Sequence, residues 1–364
     1  MADAKHRVAI IGCGRLGQYY AHVYSQLPNT EIVAIAEYND ERRTAVGERF
    51  GVKALFKDVL SLLKQVVPDI AAIVTPTKYY KEAVIGCAEA GVKGVSTDKP
   101  IAARLSDADE MVETCRQHGV IYSGGNLQRA VPEIQQVAKR IREGEYGTLI
   151  GAMMHGFDGE ISGGGCQAIA VLTLLTNSLV DEVIAWGSPP EALAQENDPG
   201  LRIDGRFHLD CGLDCPVIGK VEYRGGLSLW SQDVLIHWAW GAPKIYKGFD
   251  SRGSRIEIDP NYGVEPYDER IESEKYLTNS IRHFIASVES GQESDLAVSG
   301  DDLRHALEVA VACKTSAVLG SVPLKLPLED RSLVLYPRDY RWAGGDVTGR
   351  PQAVEDVLEF DASK

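Results

Sequence analysis

Residues 7–17 read RVAIIGCGRLG. A short apolar, β-branched run ending in glycine predicts a buried strand, and the following QYYAHVYSQL, residues 18–27, has helical spacing. At that strand-to-helix turn the glycines fall as G-x-G-x-x-G: Gly12, Gly14 and Gly17, with Arg15 and Leu16 between the last two. In this context the motif reads as a dinucleotide-binding turn. Gly12 permits the tight turn, Gly14 lets the backbone approach a pyrophosphate, and Gly17 lets helix and strand pack closely. The helix start offers N–H groups and the positive end of its dipole to phosphate. The next strand, EIVAIAEY (31–38), brings Glu37 to its end, twenty residues past Gly17. A carboxylate there accepts hydrogen bonds from ribose hydroxyls and repels a 2′-phosphate. NAD is therefore favoured over NADP, with Arg42 and Arg43 expected to face solvent further along the helix.

Outward from this turn the same alternation continues. DERRTAVGERF (40–50) is a helix, IAAIVTPT (70–77) a strand, KEAVIGCAEAG (81–91) a helix and GVKGVSTDKP (91–100) a strand. SDADEMVETCRQHG (106–119) is a helix with Ser106 as its expected cap, and VIYSGGN (120–126) a fifth strand. Apolar runs separated by helices predict a doubly wound parallel sheet, a Rossmann domain over residues 1–125. After Asn126 the texture changes. VPEIQQVAKRIREGEYG (131–147) is an amphipathic helix, and TLIGAMMHGF, GRFHLDCGLDC, LSLWSQDVLIHWAW and SRIEIDP alternate as antiparallel strands do. Two helices follow, over 276–291 and 300–320, then a polar, glycine-bearing tail after about Arg341. Residues 126–364 are thus expected to form an α+β substrate-binding and oligomerisation domain with a large, mostly antiparallel, open-faced sheet.

Composition narrows the function classes. The 364 residues are 44% hydrophobic and 25% charged, a globular profile. The formal net charge of −14 opposes a nucleic-acid partner. No apolar run approaches the ~20 residues of a membrane span, and the opening MADAKHRVAIIGCG reads as a first strand rather than a signal peptide. A cytoplasmic protein with no membrane partner is expected. Seven scattered cysteines, only Cys211 and Cys215 closely spaced, give no zinc pattern, so no metal is expected.

A second motif follows the fourth strand. VSTDKPIA (95–102) places Asp98, Lys99 and Pro100 where open α/β sheets face their ligand. A lysine there can reach a substrate beside a nicotinamide and move its proton.

With these residues in view the sequence resembles the glucose–fructose oxidoreductase/inositol dehydrogenase (Gfo/Idh/MocA) family of NAD(P)-dependent oxidoreductases. VAIIGCGRLG, AIVTPTKYYKEAVIGCAEAG and STDKPIA match its nucleotide domain; GGNLQRAVPEIQQVAKRIREGEYG matches its domain junction. NSIRHFIASVESG and SGDDLRHALEVAVACKTSAVLGSVPLKLPL match its closing helices. The resemblance implies that Lys99, in Asp98-Lys99-Pro100 where the family has Glu-Lys-Pro, is the catalytic or substrate-orienting lysine. It implies that Thr75 and Pro76 line the cofactor, and that Asn126 and Arg129 stand near the substrate. Family members carry Asp-x-Gly-x-His before a helix of the second domain. Aligned on AIAVLTLLTNSLVDEVIAWGS (168–188), read as that helix, Gly163 takes the aspartate position, Gly165 the glycine and Gln167 the histidine. Neither proton-handling residue is present, and glutamine can bond a hydroxyl but cannot shuttle a proton.

Lys99 therefore acts alone, or another group reaches in; His155 and His237 are the candidates, His155 as a catalytic group and His237, with Trp238, as substrate contacts. Three functions fit. The first is an NAD-dependent oxidoreductase acting on a carbinol carbon of a sugar, cyclitol or sugar derivative. The second is an NAD-dependent glycosidase working by transient oxidation, and the third a non-catalytic NAD-binding regulator. The open-faced sheet of such folds suggests a homodimer or homotetramer.

Overall fold

A computed structural model describes residues 5–125, 127–156, 160–198, 200, 202–219, 226–264 and 275–345. Two compact units emerge. Met1–Gly125, Leu277–Asp301 and Arg338–Lys364 form one, Asn126–Tyr276 and Asp302–Pro337 the other.

The first unit is built on β1 (His6–Ile11), β2 (Thr30–Ala36), β3 (Leu55–Phe56), β4 (Ile70–Ile73), β5 (Gly94–Thr97) and β6 (Ile121–Gly124). They pair in parallel in the order β3-β2-β1-β4-β5-β6, the doubly wound arrangement. Every residue of β4, β5 and β6 is buried, as expected of parallel strands covered on both faces. The connecting helices are α1 (Arg15–Gln26), α2 (Asp40–Phe50), α3 (Val59–Leu63), α4 (Tyr80–Glu89) and α5 (Leu105–Gln117). Local chemistry sets their starts: the Asn39 side chain accepts the Arg42 N–H to cap α2, and Asp58 with Ser61 makes a capping box for α3. The expected Ser106 cap is overturned. Helix α5 begins at Leu105, whose fully buried side chain draws the first turn one residue earlier, and Ser106 lies inside it.

The second unit contains α6 (Pro132–Arg142), β7 (Gly151–His155), α7 (Cys166–Thr176), β8 (Val180–Ser188), α8 (Pro190–Leu193), β9 (Arg202–Leu209) and β10 (Asp214–Ile218). These are followed by β11 (Gly226–Trp230), β12 (Val234–Trp238), β13 (Lys244–Phe249) and β14 (Arg255–Ile258). After α9 (Lys275–Ser290), α10 (Gly300–Val318), β15 (Leu324–Lys325) and the short α11 (Asp339–Trp342) complete the described chain. The nine strands run in the order β14-β13-β12-β11-β7-β10-β9-β8-β15, antiparallel throughout except for β7 with β10. Alternation decides the faces: Ile203, Gly205, Phe207 and Leu209 of β9 are buried, while Arg202, Asp204, Arg206 and His208 are not. Helix α7 lies against β11, and the β8 backbone bonds Ser316 of α10, so among the described residues the helices cover one face and leave the other open.

Two expectations change. The helix read over 168–188 ends at Thr176, where Asn177 adopts the left-handed conformation of a helix stop (φ 49°), and β8 follows. The plain division at residue 125 also misses two late returns to the first unit. Helix α9 packs on β5 so closely that a Cβ on Gly94 would stand 2.9 Å from Phe284, and the Ser123 hydroxyl donates to the Val298 carbonyl at 2.9 Å. The sheet needs apolar cover that the first 125 residues do not supply at β5. No helix among the described residues is long and apolar enough to cross a membrane.

Candidate functional site

The turn between β1 and α1 is a cradle of bare backbone. Gly12 has φ +93°, and a Cβ there would stand 2.6 Å from the Val74 carbonyl oxygen. A Cβ on Gly17 would overlap the carbonyl oxygen of Gly12. Only glycine fits either place. Gly14 is the N-cap of α1 and makes no side-chain cap, leaving the first N–H groups directed at whatever occupies the turn.

Glu37 is 5% exposed and locked to this turn. Its Oε2 accepts the Cys13 N–H at 2.7 Å and its Oε1 the Asn39 N–H at 3.0 Å. A carboxylate offers about four lone-pair directions, so acceptor capacity remains for hydroxyls. The expectation for Arg42 is corrected. It is 2% exposed, with Nε 3.7 Å from Glu37 Oε1, because α2 turns that side chain inward onto the carboxylate. Arg43 donates to the Glu37 carbonyl at 2.7 Å. Burial, then the Glu37 charge, pushes the Cys13 thiol up, so it stays protonated.

Glu37 and Arg42 line a cavity of about 580 Å³. Gly12, Gly14, Arg15 and Leu16 form one part of it, Thr75, Pro76 and Thr77 another, and Asp98 with Lys99 a third. Lys99 Nζ stands 3.3 Å from Asp98 Oδ1, both side chains nearly buried. The Asp98 N–H donates to the Tyr80 hydroxyl at 3.3 Å. Burial foremost, then the Asp98 charge, raises the Tyr80 and Tyr20 phenols, which remain neutral. Sequence reasoning missed a fourth part: Tyr340, Arg341, Ala343, Gly344 and Gly345 also line the cavity. No motif in the tail signals this; only the fold brings it back.

In the second unit, a single π-helical turn over Ile161–Gly165 leads into α7. Gln167 Oε1 accepts the Gln128 N–H at 3.2 Å, tying α7 to the turn that also carries Arg129. Arg129 is itself paired with Asp302 at 2.6 Å. Asn126 lies outside the described residues. Asp198, fully buried, accepts the Ser162 N–H at 2.8 Å and its hydroxyl at 2.9 Å. Burial raises its pKa, and its bonds to Ser162 brace the start of the glycine run.

The structure does not bring the histidines to this wall. His155 and His237 point to the open face of the sheet, opposite α7, and stack on one another at 5.3 Å with rings 1° from parallel. Trp238, expected to touch substrate, alternates with His237 and is fully buried on the covered face. A period of two sends neighbours to opposite faces, so these two residues cannot serve one site. His155 is likewise corrected as a catalytic candidate.

The cavity of the first unit offers a bare backbone cradle, a helix start and a carboxylate twenty residues on, which suits a dinucleotide. Residues 6–126 match the oxidoreductase family, NAD-binding Rossmann fold. The match is to the Gfo/Idh/MocA oxidoreductase family and is confined to this nucleotide-binding segment. Among its relatives, D-apiose dehydrogenase of Paraburkholderia graminis is 34% identical over 140 residues, 38% of this chain and 37% of that protein. The 2,7-anhydro-N-acetylneuraminate hydratase of Mediterraneibacter gnavus is 30% identical over 142 residues, 39% of this chain and 37% of its own. The chain thus matches well under half the length of these relatives. An oxidoreductase from Agrobacterium radiobacter, solved with NAD⁺, L-tartaric acid and magnesium, has the same fold. It superposes with a TM-score of 0.72 at 17% identity, over 88% of this chain and 98% of its own.

Proposed function

We propose that the protein is an NAD-dependent oxidoreductase acting on a hydroxyl-bearing carbon of a sugar, cyclitol or sugar derivative. The observation that carries this reading is the presence of Lys99 and Asp98 in the same cavity as the glycine turn and Glu37. When bound there, NAD supplies the hydride acceptor, and in its reduced form the donor. The turn and the start of α1 hold the phosphates, and Glu37 accepts from the ribose hydroxyls. NADP is disfavoured because Glu37 already neutralises Arg42. Lys99 Nζ takes the substrate hydroxyl proton in oxidation and returns it in reduction. Gln167 and Arg129 are proposed as substrate ligands of the second unit, bonding hydroxyls rather than moving protons. The open face of the nine-stranded sheet, with Trp186 and Ile218 exposed, is proposed to pack against a second copy in a homodimer or homotetramer.

The Lys99→Ala variant is expected to retain NADH binding and lose turnover on a sugar panel by about a thousandfold. Residual turnover near wild type would remove Lys99 from the reaction. Two observations favour a second reading: the run at 161–165 presents no titratable side chain, and one relative is a hydratase. A redox-neutral elimination would release product with no net NADH and incorporate solvent deuterium, whereas a dehydrogenase yields stoichiometric NADH.

A further inference from the structure

One cation of the nucleotide cavity comes from the far end of the described chain. Arg341 belongs to α11, far along the chain, and its guanidinium stands 3.8 Å from Asp98 Oδ2. Lys99 holds the other oxygen, Oδ1. Asp98, 8% exposed, thus has Lys99 at one carboxylate oxygen and Arg341 at the other.

The segment that delivers Arg341 is tied at three points. The Arg341 and Trp342 N–H groups donate to the Arg338 carbonyl, and Ala343 donates to that of Asp339, which stiffens the turn. Helix α11 packs against the turn at Thr77–Tyr79. Gly344, at φ +95°, passes so close to Pro76 that a Cβ would stand 2.9 Å from its ring. The Arg341 guanidinium also lies over the Tyr340 ring, 4.9 Å from its centre.

The geometry points to Arg341 as a positioning residue for Lys99, acting through Asp98 at the reactive end of the nucleotide cavity. A carboxylate held at one oxygen turns about its Cβ–Cγ bond. With the Arg341 charge facing the second oxygen it turns less freely, and the amine bonded to Oδ1 is steadied with it. Lys99 and Asp98 adjoin in sequence, and the pair alone leaves both side chains free to turn to other partners. The inference rests on the dinucleotide reading of the cavity.

The test compares wild type, Arg341→Ala, Arg341→Gln and Arg341→Lys in the full chain. Two readouts are taken: the rate at which the Lys99 amine is reductively methylated, followed by mass spectrometry, and NADH affinity from fluorescence titration. The expected result is methylation of Lys99 about fivefold faster in Arg341→Ala, with NADH affinity lower by a similar factor. Arg341→Lys restores both to within about twofold, because it keeps the charge. An unchanged methylation rate overturns the inference, even if NADH binding falls, since Arg341 would then serve the nucleotide alone. If Arg341→Ala does not fold, Arg341→Gln decides by the same rates. A wild-type protein that binds no NADH defeats the proposed function, while the methylation rates still judge Arg341.

Discussion

Two glycine-rich stretches, at 12–17 and 163–165, look alike in sequence and serve opposite ends. At Gly12 and Gly17 there is no room for another atom, and the missing side chains are what allow turn and helix to meet. At Gly164 a Cβ would find nothing within 4 Å. The first stretch is glycine because backbone crowds backbone. The second has room at Gly164 for a side chain that the sequence does not place there. A glycine run therefore identifies a nucleotide cradle only when a strand leads in, a helix leads out and the chain is pinched between them.

This contrast sets the largest expected effect. Gly12→Ala forces a left-handed residue against the Val74 carbonyl, a strain of about 3 kcal/mol, and NADH affinity should fall about a hundredfold. A titration within threefold of wild type would show that the turn is not a cradle. Next comes Glu37→Ala, which removes acceptors for the ribose and frees Arg42 from its carboxylate. Calorimetry should show NAD affinity about tenfold weaker and NADP affinity improved; an unchanged NAD-to-NADP ratio would exclude Glu37 from selectivity.

A smaller effect concerns pH. Burial lowers the pKa of His155; burial first, then His155 and Lys244, lowers that of His237. Folded imidazoles that bind protons less readily than unfolded ones stabilise the protein above their ordinary value near 6.5. That stability is lost as pH falls through the folded values. The melting temperature should drop by about 2 °C from pH 7.5 to 5.5 on this account, and His155→Gln should reduce the drop. Smallest of all, Gly164→Ala should leave the melting temperature within about 1 °C of wild type and NADH binding unchanged.

The parallel sheet and the nucleotide turn could be read directly from residues, since strand, glycine spacing and Glu37 lie within one local stretch, while the two-residue β3 was too short to show a pattern. The mostly antiparallel sheet was visible from alternation, though β8 was hidden in an apolar run that periodicity alone reads as helix. Asn177 carried the stop signal. What sequence could not yield was anything set by distant packing. Arg42 turns inward because Glu37 faces it, and Trp238 and His237 part because a strand alternates. Arg341 reaches Asp98 only through a tail that carries no motif.

The return of α9 to β5 has an outcome for the growing polypeptide. The seat on Gly94 is filled by Phe284 and Val288, which leave the ribosome long after the six parallel strands. Until they arrive, the nascent nucleotide unit displays an uncovered apolar seam, so its completion awaits synthesis of nearly the whole protein. An isolated fragment ending at Gly125 would keep that seam and is expected to aggregate, and adding residues 277–301 in trans is expected to suppress this.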